Sequence, residues 1–313
     1  MKILFKISLF VTLVSVLAVA SASAAPSLLE HRASLRQWYP QTYPVGVGPE
    51  FADFDGANIW VANYDDNAVA KVRAADGSIL GTYSVASPEG VVFDGTNIWV
   101  GNNNGNTVTK LASDGSVIGT YTVGTCPDGI AFDGANIWVA NNCDNTITKI
   151  RASDGTILGT YNVGAGPEFI AFDGTYIWVG NNGGNNVTKL LASDGTLVGT
   201  YSVGTNPRGL AFDGKNIWVA NYGDGTVTKL RASDGTVIGT YAAGSGPEGI
   251  IFDGTNIWVA NAHDGTVTKL QASSGTVIDT YSVGIWPFCI VFDSADIWVG
   301  NHGSGTLTKI PAP

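Results

Sequence analysis

The chain has 313 residues, with 16 Lys and Arg against 26 Asp and Glu for a formal net charge of −10, and only 13% charged residues beside 41 glycines. An acidic balance of this size disfavours nucleic acid and anionic membrane surfaces as partners. Length alone permits one domain or two.

Residues 1–24 read as an export signal. Lys2 and Lys6 precede an apolar run from Ile7 to Val19, and Ala22-Ser23-Ala24 supplies a small-residue cleavage site. No later run reaches the ~18 apolar residues of a membrane span, so the mature chain is expected to be secreted or periplasmic without membrane insertion. Residues 25–40 are non-repetitive, and the capping-box pattern Ser27-Leu28-Leu29-Glu30 predicts a linker or a short helix there.

From Gln41 the chain becomes periodic. Near-copies of Ile-Trp-Val-(Ala/Gly)-Asn recur around Trp60, Trp99, Trp138, Trp178, Trp218, Trp258 and Trp298, at intervals of 39 or 40 residues. A fixed period of this length points to a solenoid, a propeller or an array. Within each copy, four runs rich in Val, Ile, Thr, Phe and Trp are separated by Gly, Asp and Asn clusters, which predicts a four-stranded antiparallel meander. Asp-Gly pairs such as Asp133-Gly134 and Asp154-Gly155 supply the positive φ that tight turns need, so these aspartates read as turn residues rather than catalytic acids. The Asn closing each motif, Asn141 for example, recurs in all seven copies and reads as a loop anchor.

Around Trp99 the second strand is apolar on both faces, with Ile98 and Val100 on one side and Trp99 on the other. Such a strand must lie between two other sheets. Stacking seven sheets around an axis satisfies this for every module, so residues 41–313 are expected to form an all-β, seven-bladed β-propeller of four-stranded antiparallel blades. The seventh module ends at Thr306-Leu307-Thr308-Lys309-Ile310 without a fourth strand, and Gln41-Thr42-Tyr43-Pro44-Val45-Gly46 resembles the missing piece. The N-terminal strand is therefore expected to close the last blade.

The repeated Trp-Val-(Ala/Gly)-Asn, preceded by turns such as Gly246-Pro247-Glu248-Gly249-Ile250, resembles the YVTN-type and NHL-type bacterial propeller repeats. The resemblance covers the chain from Gln41 to Ile310. It implies the fold and leaves function open, because propellers of this build serve as binding scaffolds, surface proteins and enzymes. It also brings in metal-dependent lactonases of the gluconolactonase type and antibiotic lyases of the virginiamycin B lyase type, which work at the mouth of the channel. Where such lyases carry Glu and His, this chain has Asn261 and Asn301, with His263 and His302 nearby.

The loops between first and second strands, and between third and fourth, are near-identical among modules, whereas those on the opposite face vary. On that variable face the residue after the recurring proline reads Glu50, Glu89, Asp128, Glu168, Arg208, Glu248 and Phe288. At a spacing of about 8 Å each carboxylate pair repels by roughly 0.5 kcal/mol in water and about 2 kcal/mol at an effective dielectric of 20. A cation or a proton would relieve this, which makes Glu50, Glu89, Asp128, Glu168 and Glu248 candidate metal ligands, with calcium the best match to their oxygens. Blade seven departs most, through Ile285-Trp286-Pro287-Phe288-Cys289. Trp286 and Phe288, with His263, His302, Tyr64 and Arg208, are the candidate ligand-binding residues.

Cys126 and Cys143 are equidistant from the hairpin around Asp133 to Asn136, which predicts opposed residues and a disulfide, leaving Cys289 free. The sequence thus reads as a secreted, monomeric binding module for a protein, glycan or small molecule, with calcium the one candidate cofactor. The alternative is a metal-dependent lactonase-like or lyase-like enzyme using the channel-mouth carboxylates.

Overall fold

The computed structural model describes residues 40–312, which form seven four-stranded antiparallel sheets and only three short 3-10 turns. The expected export signal, the segment 25–39 and His31 lie outside the described residues. Blade two is representative: Pro88–Phe93 is its inner strand, followed outward by Ile98–Asn102, Thr107–Leu111 and Val117–Thr122. Blade seven comprises Pro287–Phe292, Asp296–Asn301 and Thr306–Pro311, with Gln41–Pro44 as its outermost strand. Gln41 lies opposite Lys309 and Tyr43 opposite Leu307. The inner strands of blades one and seven pack together as other neighbouring inner strands do. No helix among the described residues is long and apolar enough to cross a membrane.

The two-faced second strand sets the packing. Trp60 and Ala62 of blade one share a core cluster with Ile98 and Val100 of blade two, Trp99 faces Ile137 and Val139 of blade three, and Trp298 faces Ile59 and Val61 across the last seam. All seven tryptophans are 0 or 1% exposed. A buried indole needs a partner for its N–H, and each finds one in the turn aspartate five residues earlier, as in Trp138 Nε1 to Asp133 Oδ2 at 2.8 Å. The turn aspartates therefore do more than shape turns. Oδ1 of Asp133 accepts the N–H groups of Ala135 and Asn136 while Oδ2 anchors the core.

Across the ladder from each tryptophan stands a lysine whose ammonium lies over the indole, 4.6–5.1 Å from the ring centroid. Most of these lysines then donate to a backbone carbonyl of the next blade, Lys110 to Ala152 at 2.7 Å and Lys309 to Ala74 at 3.0 Å. The outer-strand tyrosine stacks on the same indole, with Tyr121 5.3 Å from Trp99. In blade seven Tyr43 takes that place, 5.7 Å from Trp298. The recurring Asn is a loop anchor: Asn141 Nδ2 donates to Thr146 and Thr148, and its Oδ1 accepts the Gly124 N–H.

Cys126 and Cys143 form a disulfide with Cα atoms 5.5 Å apart. The reason differs from direct opposition in the ladder. Pro127 pairs with Asn141 and Ile130 with Val139, so a bulge shifts the register between them, and the two cysteines lie in the loops beyond the strand ends. Cys126 has positive φ there. Disulfides of this kind persist in oxidising compartments. Cys289 is free and buried, and burial pushes its thiol up to about 12. Mass spectrometry of the unreduced protein should find one alkylatable thiol, labelled only after denaturation; three free thiols would refute the pairing.

Candidate functional site at the channel mouth

The residue after each recurring proline sits in a β-bulge. The register shifts between Pro127 and Ile130 in blade three, and at the equivalent point in the other six inner strands. Bulges re-aim side chains out of a ladder, and here they gather the acidic residues at the mouth of the channel. The inner strands approach closely there. A Cβ on Gly129 would run into the Glu168 carbonyl, and one on Gly209 into that of Glu248.

The carboxylates are not evenly spaced. The Glu89 carboxyl hydrogen-bonds Glu50, and burial, reinforced by Asp128 and Glu50, pushes it up to about 11. Burial, with Glu168 and Glu50 close by, also raises Asp128 well above the usual carboxylate range. Arg208 divides the arc. Its Nη1 lies 3.1 Å from Glu248 Oε2 and its Nε 3.6 Å from Glu168 Oε2, and its guanidinium rests 4.6 Å from the Tyr222 ring centroid. Burial nonetheless raises Glu248, only 1% exposed, to about 8, with Arg208 opposing the shift. Glu168 is raised by burial too, against Arg208 and the Asn182 side-chain N–H. At neutral pH the ring therefore carries bound protons.

The expected calcium ligands Glu50, Glu89, Asp128, Glu168 and Glu248 thus interact with one another, Arg208 and His302. Among the described residues no three His, Cys, Asp or Glu side chains are placed to hold a metal ion. Arg208 is engaged by its carboxylates rather than free for a ligand. The two histidines, on adjacent blades, turn away from each other. His302 Nε2 lies 3.2 Å from Glu50 Oε1, which raises its pKa, whereas His263 Nε2 hydrogen-bonds the Tyr222 hydroxyl at 2.7 Å. Tyr64 accepts a 3.4 Å hydrogen bond from Asn104.

Phe288 belongs to an aromatic floor. Its ring centroid lies 6.0 Å from Phe51 and 6.5 Å from Phe169, and those two are 4.9 Å apart. Trp286 stands at the rim, 45% exposed and 5.1 Å from His302. A cavity of 490 Å³ lined by the inner strands includes Phe51, Phe169 and Cys289. It also includes Asp53, whose carboxylate accepts the Phe93 N–H of the next blade and is raised to about 6 by burial. Sequence reasoning missed Phe169 and Asp53. Both carried a signal: Phe169 stands where Gly90, Gly129, Gly209 and Gly249 recur, and Asp53 where Val92, Ala131, Ala171, Ala211, Ile251 and Val291 are apolar.

Among solved structures the chain is similar to hydrazine synthase from Kuenenia stuttgartiensis, with a TM-score of 0.76 and 20% identity over 85% of this chain and 96% of that one. It is similar to a streptogramin B lyase, with a TM-score of 0.75 and 20% identity over 87% and 96%. A catalytically inactive variant of virginiamycin B lyase from Staphylococcus aureus with quinupristin gives a TM-score of 0.75 and 20% identity over 88% and 100%. The likeness is one of fold. No protein-family model and no curated protein matches the chain, so the resemblance to YVTN-type and NHL-type repeats rests on the motif itself.

Proposed function

We propose that this protein is an exported, monomeric binding module of the YVTN or NHL type, taking a basic ligand at the channel mouth. One observation carries the reading. Five carboxylates crowd the mouth against Arg208 and His302, and burial, with the neighbouring carboxylates adding to it, pushes Glu89 up to about 11 and Glu248 to about 8. A bound cation would replace the protons that now relieve their repulsion. The aromatic floor of Phe51, Phe169 and Phe288 adds apolar area beneath that charge.

Titration calorimetry with spermine, calcium chloride and a neutral sugar tests this. Spermine binding at pH 7.5 should release protons, so its apparent enthalpy should follow the ionisation enthalpy of the buffer, and it should weaken toward pH 5. The absence of binding by either cation would defeat the reading. The enzymatic alternative draws on Glu248, whose pKa near 8 beside Arg208 suits a general acid at neutral pH. Consumption of quinupristin or a simple lactone, lost in Glu248→Gln, would favour it instead.

A further inference from the structure

Seven equivalent residues precede the recurring prolines, and all have positive φ: Gly48 at 69°, Ser87 at 46°, Cys126 at 52°, Gly166 at 63°, Asn206 at 50°, Gly246 at 66° and Trp286 at 55°. Gly48, Gly166, Gly246 and Asn206 are of the types that tolerate this conformation, and Ser87 and Cys126 are small. A bulky aromatic is a genuine outlier there, and a following proline disfavours compact conformations further. Its fixed position depends on the surrounding backbone, since the His302 N–H donates to the Trp286 carbonyl at 2.9 Å and Gly303 to that of Ile285 at 3.0 Å.

The strained residue does not repay its conformation by burial. Trp286 is 45% exposed beside Ile285 at 68%, and it walls a groove of 470 Å³ that includes His263 and Asp264. Toward the channel it begins an aromatic succession, through His302 at 5.1 Å and Phe288 at 6.4 Å from His302, to Phe51 at 6.0 Å from Phe288. His302 also holds Glu50 of the carboxylate arc. A half-exposed indole held in a costly conformation at the head of that succession is a binding surface rather than packing.

The geometry points to Trp286 as the stacking platform for the apolar body of an organic cation whose charged head faces the carboxylates. This rests on the basic-ligand reading and adds that the ligand carries a flat ring. The test compares benzyltrimethylammonium with tetramethylammonium on the purified protein, by calorimetry, in the wild type, Trp286→Gly and Trp286→Asn. Gly and Asn already occupy the equivalent sites of other blades.

The wild type should prefer the benzyl compound by about tenfold. Both variants should lose that preference through an about tenfold weaker benzyltrimethylammonium affinity and melt about 2–4 °C higher through relief of the strain. Retention of the preference in both variants overturns the platform and leaves the basic-ligand reading standing. Lower melting temperatures in both would show that Trp286 is packing and overturn it as well. If neither cation binds the wild type, the basic-ligand reading falls and the platform with it.

Discussion

Removing Gln41–Val45 lowers the melting temperature by about 10–20 °C, the largest change expected from so short a deletion. The segment supplies the outermost strand of blade seven, paired from Gln41 to Pro44 along Thr306–Lys309. It also supplies Tyr43 against Trp298 and Val45, which is 4% exposed within the core at the last seam. The carbonyl of Val45 accepts the buried Asn63 side chain at 2.9 Å. Burial of Val45 contributes about 1.5–3 kcal/mol, the ring pair about 0.5–1.5 kcal/mol, and the orphaned Asn63 donor costs about 1–3 kcal/mol. Melting by circular dichroism against the intact chain measures this. An unchanged midpoint would mean that blade seven holds without its outermost strand.

Stability should fall as pH rises from about 5 to 9, the reverse of a protein held by ionised carboxylates. Glu89, Asp128, Glu168 and Glu248 all have folded pKa values above their ordinary values. Their contribution is complete below the ordinary carboxylate range and is lost as pH climbs toward about 8 for Glu248 and about 11 for Glu89. Each proton kept by the folded ring and already lost by the unfolded chain costs about 1.4 kcal/mol per pH unit, or about 3–5 °C in melting temperature. On the acid side Asp55, Asp133, Asp213 and Asp253 have lowered values, set by hydrogen bonds to their turns and tryptophans that outweigh burial. They withdraw stability below about pH 4. Thermal melts across pH on the wild type and on Glu89→Gln with Asp128→Asn test the argument. The double variant should melt higher at pH 8 with a flatter slope, and a flat wild-type profile from pH 5 to 9 would contradict it.

The fold was legible because it is written seven times. A second strand apolar on both faces admits few arrangements, and Trp99 between blades two and three is the arrangement expected. What the sequence hid were the partnerships across seams. Asp133 looked like a turn residue because Asp-Gly accounts for it locally, and nothing local shows that its second oxygen reaches Trp138. Nothing in its own strand shows that Lys110 lies over Trp99 and bonds Ala152 in the next blade. At the mouth, the residue types were legible and their pairing was not. Arg208 stood out as the odd member of an acidic series, but its engagement with both Glu168 and Glu248 depends on bulge geometry that no spacing encodes. The Cys126–Cys143 pairing was right for a simplified reason, since the bulge at Asp128 and Gly129 breaks the symmetry on which the counting relied.

The separation between what joins the blades and what lines the mouth has a consequence for how such a protein can change. The tryptophan, aspartate, lysine and tyrosine that make each seam lie on the second, third and outer strands and in the turns of the uniform face. The post-proline residues occupy bulges at the other end of the inner strand. A substitution at Glu89 or Phe288 alters charge or shape at the mouth without touching a seam, and its effects pass to the mouth residues of other blades, Glu50 and Asp128 for Glu89, Phe51 and Phe169 for Phe288. The ring therefore behaves as a fixed chassis carrying seven positions around one opening that answer to one another rather than to the seams, so selectivity can be rewritten at the mouth while the same seams go on holding it together.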